Sequence, residues 1–174
     1  MTSTERDIVH RLVITPQQRK PNLSEEEFVR LYPSAIEQGR LATALLEEAL
    51  GERNAEDLQC SLIVGFTFGF AARQKHILCS LLEADWHFCH EDLVTALQEL
   101  GIYDREIVAS LHKATQWIPK YLDFDESRAL ATKAIWALGK MPGSEAELAL
   151  RQLAASSDTL LRDAAQHQLQ QRKG

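Results

Sequence analysis

Lys133-Ala134-Ile135-Trp136-Ala137-Leu138-Gly139 is the stretch that decides the fold, because it holds one of three copies of an Ala-x-x-x-Leu pattern. The other two copies are Ala96–Leu100 and Ala165–Leu169, so the three alanines are 38 and 31 residues apart. Each copy lies in an apolar stretch of helical period. Such intervals are typical of stacked helix pairs, in which each pair buries its apolar face against the next. The spacing predicts an all-α protein, a right-handed α-solenoid of antiparallel helix pairs.

The chain is expected to begin with a short helix and a linker over residues 1–22, followed by one helical-repeat domain over 23–171. The clearest repeats lie in residues 86–171. Ser24 with Glu27 forms a predicted capping box, and Asn54 and Asp158 stand at further predicted helix starts. No segment alternates apolar and polar residues in the manner of a strand.

The sequence also predicts the bounds of one long helix and the burial of two tryptophan side chains. One helix is expected from about residue 34 to residue 50, with Gly51 as its stop. Trp117 and Trp136 lie at apolar-face spacing, and core packing is the expectation for both side chains.

The net charge of −6 at pH 7 is concentrated in residues 24–57, which hold nine acidic and three basic residues. The rest of the chain is balanced, with sixteen residues of each sign. Phosphate binding needs a basic face, so this distribution argues against nucleic acid as a partner. An acidic surface favours a basic protein as the partner, because opposite charges steer association.

The longest apolar stretch, residues 62–72, is shorter than the roughly 20 residues that a membrane span requires. The first residues carry acidic groups where a secretory signal has Lys or Arg, and no apolar run follows them. Three cysteines, Cys60, Cys79 and Cys89, cannot all pair, so free buried thiols in a reducing compartment are expected. We expect a cytoplasmic protein with no membrane contact that is a monomer when free.

Residues 87–92 contain every common type of zinc ligand, in His87, Cys89, His90, Glu91 and Asp92. Consecutive ligands on one helical turn point in different directions, and no second ligand group follows at a recognisable interval, so we expect no metal and no other cofactor. Cys89 and His90 are the one adjacent pair of nucleophile and base, but neighbours on a helix do not face each other. We therefore expect no catalytic residue and no enzymatic activity. In the structural interpretation, Trp86 packs in the core while His90, Glu91 and Asp92 cap the next helix.

The longest connection in the second half of the chain is residues 121–126, where Asp123, Asp125 and Glu126 stand beside Tyr121 and Phe124. The segment lacks the glycine and the terminal glutamate of a calcium-binding EF-hand loop. Two interpretations stay open. The residues form either a solvated loop that caps the helix beginning near Ser127, or an acidic loop that contacts a partner, which the aromatic neighbours favour.

Three elements in order carry a family resemblance: Trp86-His87 leading to His90-Glu91-Asp92, then Tyr121-Leu122-Asp123-Phe124-Asp125, then the stretch 133–139. Together they resemble a group of small bacterial HEAT-like proteins, some of which are immunity proteins against polymorphic or contact-dependent growth-inhibition toxins. Residues 161–169 are similar to the second half of the HEAT-repeat motif. The resemblance implies a cytosolic inhibitor that binds a toxin domain, such as a nuclease.

The leading hypothesis is therefore an immunity protein that occludes a basic toxin domain. A cytosolic scaffold or adaptor is the alternative, and a lyase-type enzyme on HEAT-like repeats is a weaker one, because no convincing reactive set is present. The turn before the first clear repeat and the 121–126 connection are expected to lie near each other, since connections one helix pair apart are neighbours in a solenoid. The predicted partner-binding residues are Asp85, His87, His90, Glu91, Tyr121, Asp123, Asp125 and Glu126.

Overall fold

The structure is a computed structural model that describes residues 1–14, 18–19, 21–125 and 128–172. Within these ranges the protein is all-helical, with ten α-helices and no strand, which confirms the all-α part of the prediction. The α-helices are α1 Ser3–His10, α2 Glu25–Leu31, α3 Arg40–Glu52, α4 Ala55–Phe68, α5 Lys75–Leu82, α6 His90–Glu99, α7 Arg105–Ala114, α8 Arg128–Lys140, α9 Ser144–Ala154 and α10 Thr159–Gln171. Short 3₁₀ helices cover Pro33–Ile36, Ala72–Gln74 and Lys120–Asp125. Each described helix is too short or too polar to cross a lipid bilayer.

The chain divides into two compact units. The N-terminal unit comprises Met1–Ile77 and Trp86–Cys89, and the C-terminal unit comprises Leu78–Asp85 and His90–Gly174. The bounds of α5 include residues of both units.

The N-terminal unit is built around α4, which packs against α3 and α1. Its core holds aromatic as well as aliphatic side chains, because Phe28 of α2 is fully buried, stacks on Phe68 with ring centroids 5.3 Å apart and lies 4.9 Å from the ring of Tyr32. Val9 and Leu12, from α1 and the turn after it, belong to the same core cluster. The short first helix is therefore part of this packed unit.

Asp57, in the first turn of α4, is a buried carboxylate with two cationic partners. Its side chain is 1% exposed, the Nε of Arg6 donates to its Oδ1 at 2.6 Å, and the terminal ammonium of Met1 donates to its Oδ2 at 3.0 Å. Burial alone raises the pKa of such a carboxyl, but these two hydrogen bonds outweigh burial and hold the pKa of Asp57 below its ordinary value. Asp57 therefore fixes α1 on α4 through charge-assisted hydrogen bonds.

The predicted helix starts are confirmed at atomic detail. The Ser24 hydroxyl accepts from the backbone N–H of Glu27, and the Glu27 carboxylate accepts in return from the backbone N–H of Ser24. Asn54 caps α4 by accepting from the N–H groups of Glu56 and Asp57, and Asp158 caps α10 in the same way. These starts follow from local hydrogen bonds alone, which is why sequence reading finds them.

The single helix expected over residues 34–50 is wrong. The chain forms the 3₁₀ helix Pro33–Ile36 and then breaks at Gln38 and Gly39, which both have positive φ, before α3 begins at Arg40. Gly51 lies inside α3, and the helix ends instead at Arg53, which adopts the left-handed conformation at φ 52°. The sequence favoured Gly51 as the stop because glycine adopts that conformation more easily than arginine.

In the C-terminal unit, α8 packs against α6, α7, α9 and α10, and α9 also packs against α7 and α10. The three alanines of the repeated pattern, Ala96 in α6, Ala134 in α8 and Ala165 in α10, are all fully buried. At Gly139 of α8, an added Cβ atom would meet the side-chain amide of Gln168 of α10, so this side chain packs against the glycine. Small residues therefore stand where neighbouring helices come together.

Trp136 corrects the expectation of core packing. Its side chain is 54% exposed on α8, whereas Ala134, Ile135, Ala137 and Leu138 around it are buried. Two residues advance a helix by about 200°, so Trp136 stands on the face opposite Ala134. The prediction failed because it placed Trp136 on the apolar face of the helix, whereas the angle to the buried Ala134 puts it on the opposite side.

Candidate partner-binding segment

A buried histidine holds the 3₁₀ helix Lys120–Asp125, called here the 120–125 segment. His90 is fully buried at the start of α6, with its Nε2 2.8 Å from the carbonyl oxygen of Ala84 and its Nδ1 3.1 Å from the hydroxyl of Tyr121. A carbonyl oxygen can only accept, so the neutral ring carries its proton on Nε2, and Nδ1 accepts from the Tyr121 hydroxyl. One imidazole thus ties the segment to the chain before α6.

Aromatic packing and one aliphatic side chain reinforce this attachment. The ring of Tyr121 stacks on His90 at a centroid distance of 5.5 Å, and Trp117 approaches the same imidazole to 4.9 Å. Leu122 is buried, and its N–H donates to the carbonyl of Pro119 at 2.9 Å. The structure therefore brings His90 and Tyr121 together. From the sequence, the turn before α6 and the 121–126 connection are expected to lie near each other.

The other side of the 120–125 segment faces solvent. Phe124 is 84% exposed, and Asp123 beside it is exposed as well. Aromatic side chains such as this phenyl ring are enriched at protein interfaces relative to the rest of the protein surface. The backbone of Asp125 completes the 3₁₀ helix, while the Asp125 side chain and the whole of Glu126 lie outside the described residues.

The remaining predicted contact residues differ in their exposure. Asp85 is exposed and Glu91 is half-buried. His87 is only 1% exposed, its Nδ1 accepts from the N–H of Cys89 at 3.2 Å, and its ring lies edge-on to Trp86. His87 and His90 are thus both enclosed and hydrogen-bonded to the local backbone.

Most of the acidic excess of residues 24–57 lies on the surface of the N-terminal unit. Eight of its nine acidic residues are exposed, and Asp57 alone is buried. The exposed acids include Glu47, Glu48 and Glu52 on α3. This surface gives the N-terminal unit a negative electrostatic field.

Within the described ranges, one group of side chains has the spacing of a metal site. Oxygens of Glu48, Glu52 and Asp57 lie within 4.8 Å of one another. The terminal ammonium of Met1 already donates to Glu48 at 2.7 Å and to Asp57 at 3.0 Å, so it supplies the positive charge that a cation would bring. We assign this group to the ion-pair network of the N-terminal unit.

The three cysteines are free and buried, as predicted. The Sγ of Cys60 lies 3.7 Å from the Nε2 of His10. Burial raises the pKa of the Cys60 thiol to about 11, which keeps the sulfur protonated at neutral pH. A protonated thiol is a poor nucleophile, so this pair does not form a reactive site.

Sequence reasoning missed a groove in the C-terminal unit, between α8 and α10. It has a volume of about 910 Å³. The α8 side supplies Arg128, Thr132 and Trp136, which are four residues apart and therefore share one face, and the α10 side supplies Asp163 and His167. The one hint of this groove in the sequence is the position of Trp136, two residues after Ala134 and therefore on the opposite face of α8.

The chain matches no protein-family model, no curated protein and no solved structure. Its function must therefore be inferred from the residues themselves.

Proposed function

We propose that this protein is a protein-binding inhibitor, an immunity-type protein that acts in the cytoplasm and neutralises a basic toxin domain. The observation that carries the proposal is Phe124. This ring is 84% exposed beside Asp123, on a segment that Tyr121 and Leu122 anchor from behind. A chain gains nothing in stability from an exposed phenyl ring, whereas an interface gains a large apolar contact.

The helix packing of the C-terminal unit supports a HEAT-like solenoid as the scaffold of this surface. α8 contacts both α6 and α10, and α7 contacts α9, so alternate helices are neighbours, as are the consecutive helices from α7 to α10. That pattern is expected where helix pairs stack in two rows. In such a scaffold the 120–125 segment connects two successive pairs.

Charge supports a basic partner. The exposed acids of residues 24–57 create a negative surface on the N-terminal unit, and Asp123 adds a carboxylate beside Phe124. Opposite charge on the toxin domain accelerates encounter, and the apolar ring then slows dissociation.

The test uses the protein and the domain encoded by the adjacent gene, co-expressed in a bacterial host and also mixed as purified proteins. We expect the parent protein to restore growth and to form a complex. Phe124→Ala is expected to weaken the complex at least tenfold, or by about 1.4 kcal/mol or more, without changing the melting temperature.

Tyr103→Ala is the matched control, because Tyr103 is a half-exposed ring elsewhere in the C-terminal unit, and it should bind as the parent does. Equal binding by Phe124→Ala and the parent would remove the 120–125 segment from the interface. A complex that leaves the adjacent gene's product toxic would favour an adaptor over an immunity protein, and no complex would exclude that product as the partner.

A further inference from the structure

The groove between α8 and α10 has two walls of different chemistry. On α8, Trp136 presents a half-exposed indole ring one helical turn from Thr132. On α10, Asp163 presents a carboxylate whose side chain is 65% exposed. An aromatic face and a carboxylate in one groove are the two groups that best attract an organic cation.

The charges along the groove leave a net negative site. Arg128 is already paired, since its Nη1 donates to Asp158 at 2.6 Å, and that carboxylate also caps α10. Asp163 has a long contact of 3.5 Å between its Oδ1 and the Nε of Arg162, which does not line the groove. The charges of Arg128 and Asp158 cancel. With His167 counted as neutral, the residues that line the groove therefore carry the single negative charge of Asp163.

We propose that this groove binds an arginine side chain of a basic protein partner, with the guanidinium between the Trp136 ring and the Asp163 carboxylate. Arginine fits better than lysine because its planar group stacks on an aromatic ring while its five N–H groups donate in the plane. The hydroxyls of Thr132, Ser157 and Thr159 line the same groove and offer further acceptors. The inference deepens the proposed function, since it rests on a basic partner, and it adds a second contact distinct from Phe124.

The test needs no identified toxin. The ¹⁵N-labelled protein is titrated with a capped Gly-Ser-Arg-Ser-Gly peptide and with the same peptide carrying citrulline, which keeps the shape of arginine and lacks its charge. We expect the arginine peptide to shift the indole N–H signal of Trp136, assigned by its loss in Trp136→Phe, and the amide signal of Asp163. The citrulline peptide should bind about three- to fivefold more weakly, which is the size of one exposed cation–π contact.

Two variants locate the binding site. Trp136→Leu removes the ring and Asp163→Asn removes the charge, and each is expected to weaken binding of the arginine peptide about three- to fivefold. Leu148→Ala and Glu145→Gln are the controls, because both residues are exposed on α9 outside this groove, and they should bind as the parent does. Melting temperatures of all four variants confirm that each is folded.

Three results would overturn the assignment: no shift at Trp136, equal affinity for the citrulline peptide, or unchanged affinity in both groove variants. A shift with uridine monophosphate and none with the arginine peptide would replace it with a base-stacking site. None of these results bears on toxin neutralisation, which is tested with a whole protein domain and with Phe124→Ala. A failure of the groove and a failure of the proposed function are therefore distinguishable.

Discussion

The cores of the N-terminal unit and the C-terminal unit are filled by different kinds of side chain. In the N-terminal unit, Phe28 is fully buried and stacks on Phe68. In the C-terminal unit, α6 to α10 pack mainly through leucine and alanine, while Trp136 and Phe124 are 54% and 84% exposed. Buried rings contribute a large apolar area to folding, so Phe28 serves the stability of the N-terminal unit, whereas Phe88 of the same unit is 69% exposed. The rings that the C-terminal unit leaves exposed are available for a partner.

The largest loss of stability is expected from a substitution of Asp57, because its carboxylate is buried in the N-terminal unit and pairs with Arg6 there. Asp57→Ala removes the buried acceptor of Arg6, whose own side chain is 23% exposed, and should lower the free energy of unfolding by about 3 kcal/mol. Urea denaturation measures this loss. Glu56→Ala, whose carboxylate contacts the same arginine at 3.2 Å but is 75% exposed, should cost no more than about 1 kcal/mol. Equal losses in the two variants would mean that Asp57 is not a buried anchor.

The second effect tests the close helix contacts of the C-terminal unit. Ala134→Leu and Ala165→Leu add three carbon atoms at fully buried positions, and each should cost about 1–3 kcal/mol by overpacking. Ala109→Leu, at an exposed position of α7, is the matched control and should leave the denaturation midpoint unchanged. If the buried and exposed variants were equally stable, the alanines would not mark the contacts between helices.

The smallest effect concerns His112 of α7, whose Nε2 is buried and has no hydrogen-bond partner among the described residues. Burial lowers the pKa of His112 from its ordinary value of 6.5. The unfolded chain then binds the proton more readily, so this residue makes stability fall as the pH drops below about 6.5. His112→Gln should therefore lose less stability between pH 7.5 and pH 5.5 than the parent, as measured by urea denaturation at both pH values. His167→Gln, at an exposed position, is the control and should lose as much stability over this pH range as the parent does. If His112→Gln also lost as much stability as the parent, His112 would not be the source of the pH dependence.

The parts of the fold that sequence could predict depend on neighbours along the chain. The caps at Ser24, Asn54 and Asp158 each bind backbone groups two or three residues away, so the pattern of residue types suffices. The buried alanines follow from helical periodicity in the same way. The break at Gln38 and Gly39 could not be predicted, because a non-glycine residue with positive φ is set by tertiary packing.

The candidate site was predictable only where it is local. The acidic residues and aromatic rings of the 120–125 segment are visible in the sequence, and so was their closeness to His90. The sequence did not show that His90 is buried, because its two hydrogen-bond partners, Ala84 and Tyr121, are 6 and 31 residues away. The Trp136 groove was missed for a different reason, since it requires knowing which helix lies beside α8.

The ion pair between Arg6 and Asp57 also sets the order in which the chain can fold during synthesis. The two residues are 51 positions apart, so α1 leaves the ribosome before its partner on α4 exists. At about 5–20 residues per second, that wait lasts roughly 3–10 s. A helix of eight residues is marginal in water by itself, so α1 spends this time largely unfolded and gains its helical structure only when α4 arrives. Helix α1 is thus made before α4 but reaches its place in the unit only after α4 has formed.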